Sequence, residues 1–177
     1  MAGLASALTI GDEPGFATEG RELLERAIEQ ALSCDQIDAV FVSTDDEEIA
    51  SVSREYGAMV PFMRPDELAQ DDSPEWLSWR HAIQFVNASS KLPDLETFIS
   101  IPATSPMRSV EDIDHCLDVF SQGDADLVLT IREGERHPSF NMVRVDKDGS
   151  VNPMERADVE VEPEAPKLAL GIFGADE

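Results

Sequence analysis

Positive charge is scarce in this chain. Over 177 residues, 13 Lys and Arg stand against 37 Asp and Glu, which gives a formal net charge of −24 and a pI near 4.2. Binding of nucleic acid depends largely on Lys and Arg that displace counterions from phosphates, so the composition argues against a nucleic-acid partner. The acidic excess indicates either a solvated surface, as in proteins from a saline source, or a cation-binding function.

Long apolar runs and cysteine motifs are also missing. No run approaches the ~18 apolar residues of a membrane helix, and residues 1–20 lack the cationic start of a signal peptide. These absences predict a cytoplasmic protein with no membrane partner. The two cysteines, Cys34 and Cys116, have no CxxC spacing. We interpret each as a small buried apolar side chain, with a disulfide or a metal role as the alternative.

Sequence periodicity predicts strands that alternate with helices. Apolar residues recur at helical spacing through residues 21–33. Strands are predicted at residues 38–43, 58–62, 96–101 and 126–131, and a hairpin around the Asp148-Gly149 turn. Three further helices are predicted to begin at Thr44 or Asp45, at Ser73-Pro74-Glu75 and at Ser109. The pattern is typical of an α/β layered fold with a mainly parallel sheet.

Details of these elements are predicted as well. Gly57 should end the helix that precedes it. The helix after Ser73 should bury one face, formed by Trp76, Trp79, Ile83 and Val86. The length fits one domain over residues 1–177 with a substantial core. Residues 155–177 are acidic and contain two prolines, which predicts a loosely packed tail.

Polar side chains follow three strand-like runs. The runs are V-F-V-S-T-D-D at 40–46, R-P-D-E-L-A-Q-D-D-S at 64–73 and I-S-I-P-A-T-S-P-M-R at 99–108. In an open α/β sheet, loops at the carboxyl ends of parallel strands form the crevice in which ligands bind. The three segments are therefore predicted to form one site.

In this order and spacing the segments resemble the cytidylyltransferases that activate acylneuraminic and related nonulosonic acids as CMP-sugars. The resemblance runs from about Gly20 to about Lys167 and includes G-R-E-L-L-E-R-A-I-E-Q-A-L and R-H-P. It implies a three-layer nucleotide-diphospho-sugar transferase-like (Rossmann-like) fold. It also implies CTP and a nonulosonic acid as substrates, magnesium (Mg2+) as cofactor, and a homodimer or a partner subunit.

The resemblance also implies roles for individual residues. Arg64 is implied to contact the nucleotide, and Asp71 and Ser73 to line the cytidine pocket. Asp45 is implied to lie near a ribose or a phosphate-bound metal. The sugar-side candidates are Thr104, Ser105 and Arg108.

Each of these residues also has a structural interpretation. Asp45 or Asp46 can be a plain helix cap, and Arg64 can form an ion pair with Glu67 or Asp71. Asp71 and Asp72 fit either a hard divalent cation or a solvated loop.

On the sugar side, Arg108 can pair with Glu111 or Asp112. His137 can donate to a substrate carboxylate or serve a structural role.

This chain departs from the resembled family at both ends. Family members open with a strand and a loop similar to A-R-G-G-S-K-G-x-P-x-K-N, which grips the triphosphate, whereas residues 1–20 contain no Lys or Arg. A late I-D-I-D-like metal motif has no counterpart in residues 168–177. We therefore expect a truncated member with little or no activity. The alternative is a non-catalytic or regulatory partner of a complete cytidylyltransferase.

Overall fold

The computed structural model of this protein describes residues 4–9, 18–70, 73–90, 95–123, 126–131, 143–147, 149–153 and 168–170. The chain divides into two compact units. One comprises Met1–Thr130 with Pro166–Glu177, and the other comprises Ile131–Ala165. A single domain over residues 1–177 stays a prediction.

The first unit is an α/β structure. Its described elements are β1 (Leu4–Thr9), α1 (Thr18–Leu32), β2 (Ala39–Ser43), α2 (Glu47–Glu55), a 3-10 turn (Asp66–Leu68), α3 (Glu75–Ala88), β3 (Thr97–Ser100), α4 (Val110–Gln122), β4 (Leu127–Leu129) and, after the second unit, β7 (Leu168–Leu170). The five strands form one sheet in the order β2-β1-β3-β7-β4. Each neighbouring pair is parallel, as the alternation of strands and helices predicts.

Helices cover both faces of this sheet. Side chains along a strand point alternately to opposite faces. Val42 and Ile99 accordingly pack in the larger apolar cluster, which includes buried residues of α1, α2 and α4. Phe98 packs against Ala82 and Ile83 of α3 on the other side. The result is the predicted three-layer arrangement, with the core on both sides of the sheet.

The second unit contains a hairpin. Strands β5 (Val143–Val145) and β6 (Val151–Pro153) pair in antiparallel fashion. Gly149 lies between them with a φ of 86°, a left-handed conformation that glycine adopts without steric cost. The predicted hairpin is thus confirmed, with Gly149 at its turn, while Asp148 lies outside the described residues. Arg136, His137 and Pro138 lie outside the described residues.

The start of α2 differs from the prediction. Asp46, rather than Thr44 or Asp45, caps this helix, and its Oδ1 accepts from the backbone N–H groups of Glu48 at 2.7 Å and Ile49 at 2.9 Å. Thr44 Oγ1 instead accepts from the backbone N–H of Asp46 at 3.1 Å. Gly57 follows the helix with a φ of 93°, which confirms its predicted role in ending it.

The strand predicted at residues 58–62 is reduced to one bridge. Met59 pairs with Phe41, accepting from the N–H of Val42 at 2.9 Å and donating to the carbonyl of Val40 at 2.8 Å. The next donor along a parallel ladder would belong to Pro61, which has no N–H. The pairing therefore stops there.

Helix α3 also corrects two expectations. It begins at Glu75 after Pro74, and the hydroxyl of Ser73 donates to the carbonyl of Glu67 at 3.0 Å instead of capping the helix. Trp76 is 42% exposed and lies beneath the Arg80 guanidinium, 4.9 Å from the ring centroid. The buried residues of this helix include two small ones, Ser78 and Ala82, together with Ile83 and Val86.

Two strands of the sheet were not predicted. Strand β1 lies between β2 and β3, although its sequence of small and apolar residues, L-A-S-A-L-T, gives little signal. Strand β7 pairs with both β3 and β4. The prediction of a loosely packed tail over residues 155–177 is therefore wrong for Leu168–Leu170, because pairing on both sides outweighs the acidic, proline-containing sequence before them.

Cys34 and Cys116 are free and buried, as predicted. The Cys34 thiol donates to Asp114 Oδ1 at 3.1 Å, and burial together with this bond raises the pKa of Cys34 to about 11. Since the thiolate is the nucleophile, we expect native Cys34 to react with iodoacetamide at pH 8 far more slowly than in urea-unfolded protein. Mass spectrometry of the labelled peptide would measure this, and equal rates would contradict it.

The same pKa shift has a consequence for stability. Between pH 9 and pH 11 the unfolded thiol ionises while the folded one stays protonated, so its contribution to stability is lost as the pH rises through this window.

Candidate functional site

Three strands of the sheet end at one edge. In the parallel register, Thr9 of β1 pairs with Ser43 of β2, and Ala7 of β1 pairs with Ser100 of β3. Neighbouring strands lie about 4.8 Å apart, so the ends of β2 and β3 are roughly 10 Å apart. The chain leaves β2 into Thr44 and Asp45, and leaves β3 into the turn of residues 102–108. These are two of the three predicted segments, and they start from the same carboxyl edge.

Arg64 brings the third segment to the end of β2. Its backbone N–H donates to the carbonyl of Thr44 at 2.8 Å. Its guanidinium Nη2 lies 3.5 Å from Asp45 Oδ1, and the two side chains are 4% and 23% exposed. Arg64 is thus a buried cation at the carboxyl edge. An ion pair, the structural alternative for Arg64, does form, and its described partner is Asp45; Asp71, one of the two partners expected from the sequence, lies outside the described residues.

A second carboxylate lies within electrostatic reach of Arg64. Partial burial raises the pKa of Glu75, at the start of α3, and the Trp79 indole and the positive charge of Arg64 act in the opposite direction. Ser43, at the end of β2, is 1% exposed, and its hydroxyl has no hydrogen-bond partner among the described residues. Ser43 belongs to the segment that the sequence placed at this edge, whereas Glu75 was not singled out for the site. Glu75 follows the Pro74 that precedes α3, which was an available signal for its position.

The segment after Arg64 is stabilised by hydrogen bonds to its own backbone carbonyls. Ser73 donates its hydroxyl to the Glu67 carbonyl and its backbone N–H to the carbonyl of Gln70, at 3.0 and 2.9 Å. The Gln70 amide donates to the carbonyl of Asp66 at 2.6 Å. The described role of Ser73 is therefore to fold this loop, and its nucleotide contact stays a prediction. Asp71 and Asp72 lie outside the described residues.

Arg108 shapes the turn after β3. Its Nη1 donates to the carbonyls of Pro102 and Ser105 at 2.6 and 2.8 Å, and the residue is only 5% exposed. Burial lowers the pKa of Arg108 to about 10, so the guanidinium is charged at neutral pH. These bonds tie the turn together and present Thr104 on its exposed side.

Asp112, one of the two acidic residues expected as partners of Arg108, has a role in capping α4. Asp112 forms a capping box with Ser109 at the start of α4, which confirms the predicted cap. Ser105 is half-buried, and its N–H donates to the carbonyl of Pro102 at 3.3 Å. Contact of Thr104, Ser105 or Arg108 with a sugar acid stays a prediction.

The described residues contain no preformed cluster of metal ligands. Within the ranges that the structure describes, no three His, Cys, Asp or Glu side chains are grouped so as to hold a metal. Asp45 faces the guanidinium of Arg64, a cation that competes with a metal for the same oxygens. A role for Mg2+ therefore stays a prediction.

None of the described helices has the length and apolar character that a membrane crossing requires.

Comparison with known proteins identifies the family. The family model described as Cytidylyltransferase matches residues 18–161. The post-translational flagellin modification protein B of Campylobacter coli is 32% identical over 73% of this chain and 54% of its own length. The pseudaminic acid cytidylyltransferase of Campylobacter jejuni is 28% identical over 66% of this chain and 49% of its own length. The chain thus spans about half the length of these curated relatives.

Solved structures agree on the fold. A CMP:2-keto-3-deoxy-manno-octonic acid synthetase complexed with CTP superposes with a TM-score of 0.56 and 13% identity, covering 72% of this chain and 52% of that one. A 4-diphosphocytidyl-2C-methyl-D-erythritol synthase from Anaerococcus prevotii gives a TM-score of 0.50 and 16% identity over 84% and 62% of the two chains. These identities support the predicted nucleotidyltransferase-like α/β fold. The family model, which matches residues 18–161, shows that the chain belongs to the cytidylyltransferase family.

Proposed function

We propose that this chain binds a cytosine nucleotide at the carboxyl edge of its sheet, as part of CMP transfer from CTP to a nonulosonic acid. The observation that carries the proposal is Arg64, a buried guanidinium at the end of β2 in a cytidylyltransferase fold. A guanidinium offers planar donors suited to phosphate or base oxygens. The printed names of relatives, among them pseudaminic acid and N-acylneuraminate cytidylyltransferases, support the choice of substrates.

The proposed reaction is a nucleotidyl transfer. A hydroxyl of the sugar acid attacks the α-phosphorus of CTP, a new P–O bond forms, the bond to the β,γ-pyrophosphate breaks, and the hydroxyl proton passes to solvent. Catalysis of such transfers depends mainly on positioning and on charge stabilisation. Arg64 would supply one positive charge at the nucleotide, and the Thr104 turn would present the sugar acid.

The segment between β1 and α1 limits this activity. β1 ends at the carboxyl edge with Thr9, and α1 begins at Thr18. The intervening sequence, I-G-D-E-P-G-F-A, contains two carboxylates and no Lys or Arg. A triphosphate cradle needs cations or converging backbone N–H groups. We therefore propose that this chain by itself binds CTP weakly and releases little pyrophosphate.

Replacement of Arg64 tests the nucleotide site. We expect Arg64→Ala to weaken CTP binding by about 1.5–3 kcal/mol, the usual scale for a hydrogen bond to a charged group. Calorimetric titration at low salt with added magnesium measures this. Arg26→Ala is the matched control, because Arg26 is exposed on α1 and its loss changes the net charge equally.

Two results would contradict the proposal. One is an equal loss of affinity in both variants, and the other is full affinity in Arg64→Ala. Because removal of a buried cation can impair folding, Arg64→Lys serves as a second variant. It keeps the charge and lacks the planar fork, so it should show an intermediate loss with a native circular dichroism spectrum.

A further inference from the structure

The positive charge of Arg64 already has a negative partner. Asp45 Oδ1 lies 3.5 Å from Nη2 of Arg64, and both side chains are largely withdrawn from solvent. Glu75 adds a second negative charge near the same guanidinium. Any anionic ligand at Arg64 must therefore come close to a carboxylate that is already there.

The affinity of such a site for a ligand depends on the negative charge of that ligand. The Coulomb energy between unit charges increases as the surrounding dielectric falls, so a phosphate beside a half-buried carboxylate meets stronger repulsion than it would at the surface. Like charges placed together at an interface are a known source of discrimination against the wrong partner. Each additional phosphate increases this repulsion, while the nucleoside part contributes none.

We infer that Asp45 is a specificity-determining residue that holds Arg64 and makes the site favour cytosine ligands with few phosphates over CTP. The inference rests on the proposed function, since it concerns the same site. It adds one cause of weak CTP binding that lies within the site, namely the pairing of Asp45 with Arg64.

The neighbouring residue provides a matched control. Asp46 carries the same charge one position away, but its carboxylate accepts the backbone N–H groups of Glu48 and Ile49 at the start of α2. Asn is about as good a cap as Asp. Asp46→Asn therefore removes one negative charge and keeps the cap, whereas Asp45→Asn removes the partner of Arg64.

The experiment compares the wild-type chain with these two variants. Cytidine, CMP, CDP and CTP are titrated by calorimetry at one ionic strength without added divalent cations. We expect the wild type and Asp46→Asn to gain no affinity from CMP to CTP. Asp45→Asn should bind CTP about tenfold more tightly than the wild type, the scale of one hydrogen bond to a charged group. Its affinity for cytidine should be unchanged.

Several results would overturn the inference. A steady rise of wild-type affinity with the number of phosphates would show that Asp45 does not disfavour ligands with more negative charge. Equal behaviour of the two variants would show a general charge effect. Weaker binding of every ligand, cytidine included, by Asp45→Asn would show that Asp45 contacts the nucleoside.

An additional probe separates this inference from the proposed function. Inorganic tripolyphosphate contains no nucleoside, so it reports on how the charge of Asp45 affects anion binding near Arg64. If no cytosine ligand binds any of the three proteins, the proposed function fails. The preference among cytosine ligands then fails with it, and the probe tests the charge effect of Asp45 alone: that effect is supported if Asp45→Asn binds tripolyphosphate more tightly than Asp46→Asn, and it fails if the two bind alike. Thermal melts of both variants ensure that folded proteins are compared.

Discussion

Affinity for CTP should rise by roughly a hundredfold or more when residues 10–17 are replaced by a glycine-rich loop of equal length with two lysines. Two new hydrogen bonds to charged groups, at about 1.5–3 kcal/mol each, correspond to at least this ratio of dissociation constants. The replaced segment connects β1 to α1 and carries Asp12 and Glu13 with no cation. Its exchange changes the local charge from negative to positive at the edge where Arg64 and Thr44 lie.

The control for this exchange is a loop of the same length with glutamines in place of the lysines. Calorimetry with CTP and magnesium measures binding, and a coupled pyrophosphate assay with a panel of nonulosonic acids measures turnover. Binding should improve more than turnover, because the described residues provide no grouped metal ligands. Equal gains from the neutral loop would show that charge is not the limit. Robust pyrophosphate release by the unaltered chain would contradict the proposed low activity.

The second large effect concerns the core under α3. Phe98 of β3 is 1% exposed and packs against Ala82 and Ile83, with its ring 6.5 Å from that of Trp79. We expect Phe98→Ala to cost about 3–5 kcal/mol of unfolding free energy, from lost burial and the cavity left behind. Urea denaturation followed by circular dichroism would measure it.

Val119→Ala is the comparison for that measurement. Val119 lies on α4 and is 46% exposed, so its truncation should change the unfolding free energy by no more than about 0.5 kcal/mol. A loss below about 1 kcal/mol in Phe98→Ala would show that α3 is not anchored on this ring. Because Glu75 begins α3, loosening this helix should also alter the surroundings of Arg64.

Local signals explain what could be predicted of the fold. Helix α4 has its cap, Ser109, and its apolar face, Ile113, Leu117 and Phe120, within one short stretch of sequence. The cap was predicted and is confirmed. The parallel sheet followed from the alternation of elements, which needs no knowledge of distant partners.

Distant contacts decided what could not be predicted. Strand β7 exists because β3 and β4 lie on either side of it, and three residues carry no reliable pattern of their own. Trp76 was expected inside because it is apolar. The buried face of α3 instead includes small side chains such as Ala82, beside Ile83 and Val86.

The candidate site divides in the same way. Motifs at strand ends pointed to the carboxyl edge, and the register of β1 with β2 and β3 confirms that these strands end together. The partner of Arg64 could not be chosen from the sequence, because three acidic residues were available. Glu67 and Asp71 lie in the same segment as Arg64, and Asp45 lies in a segment predicted to join the same site. Arg64 lies beside Asp45 because the chain after α2 returns to the end of β2, where the backbone N–H of Arg64 donates to the carbonyl of Thr44.

The place of β7 in the sheet has a consequence for synthesis on the ribosome. Strands β1 to β4 emerge first, but among the described strands β4 has its ladder partner in β7 alone. The nascent chain must therefore carry unpaired backbone at β3 and β4 until residues 168–170 leave the exit tunnel. Pairing of such distant segments is slow, and exposed strand edges promote aggregation. The nascent chain is therefore most prone to aggregation just before β7 completes the sheet.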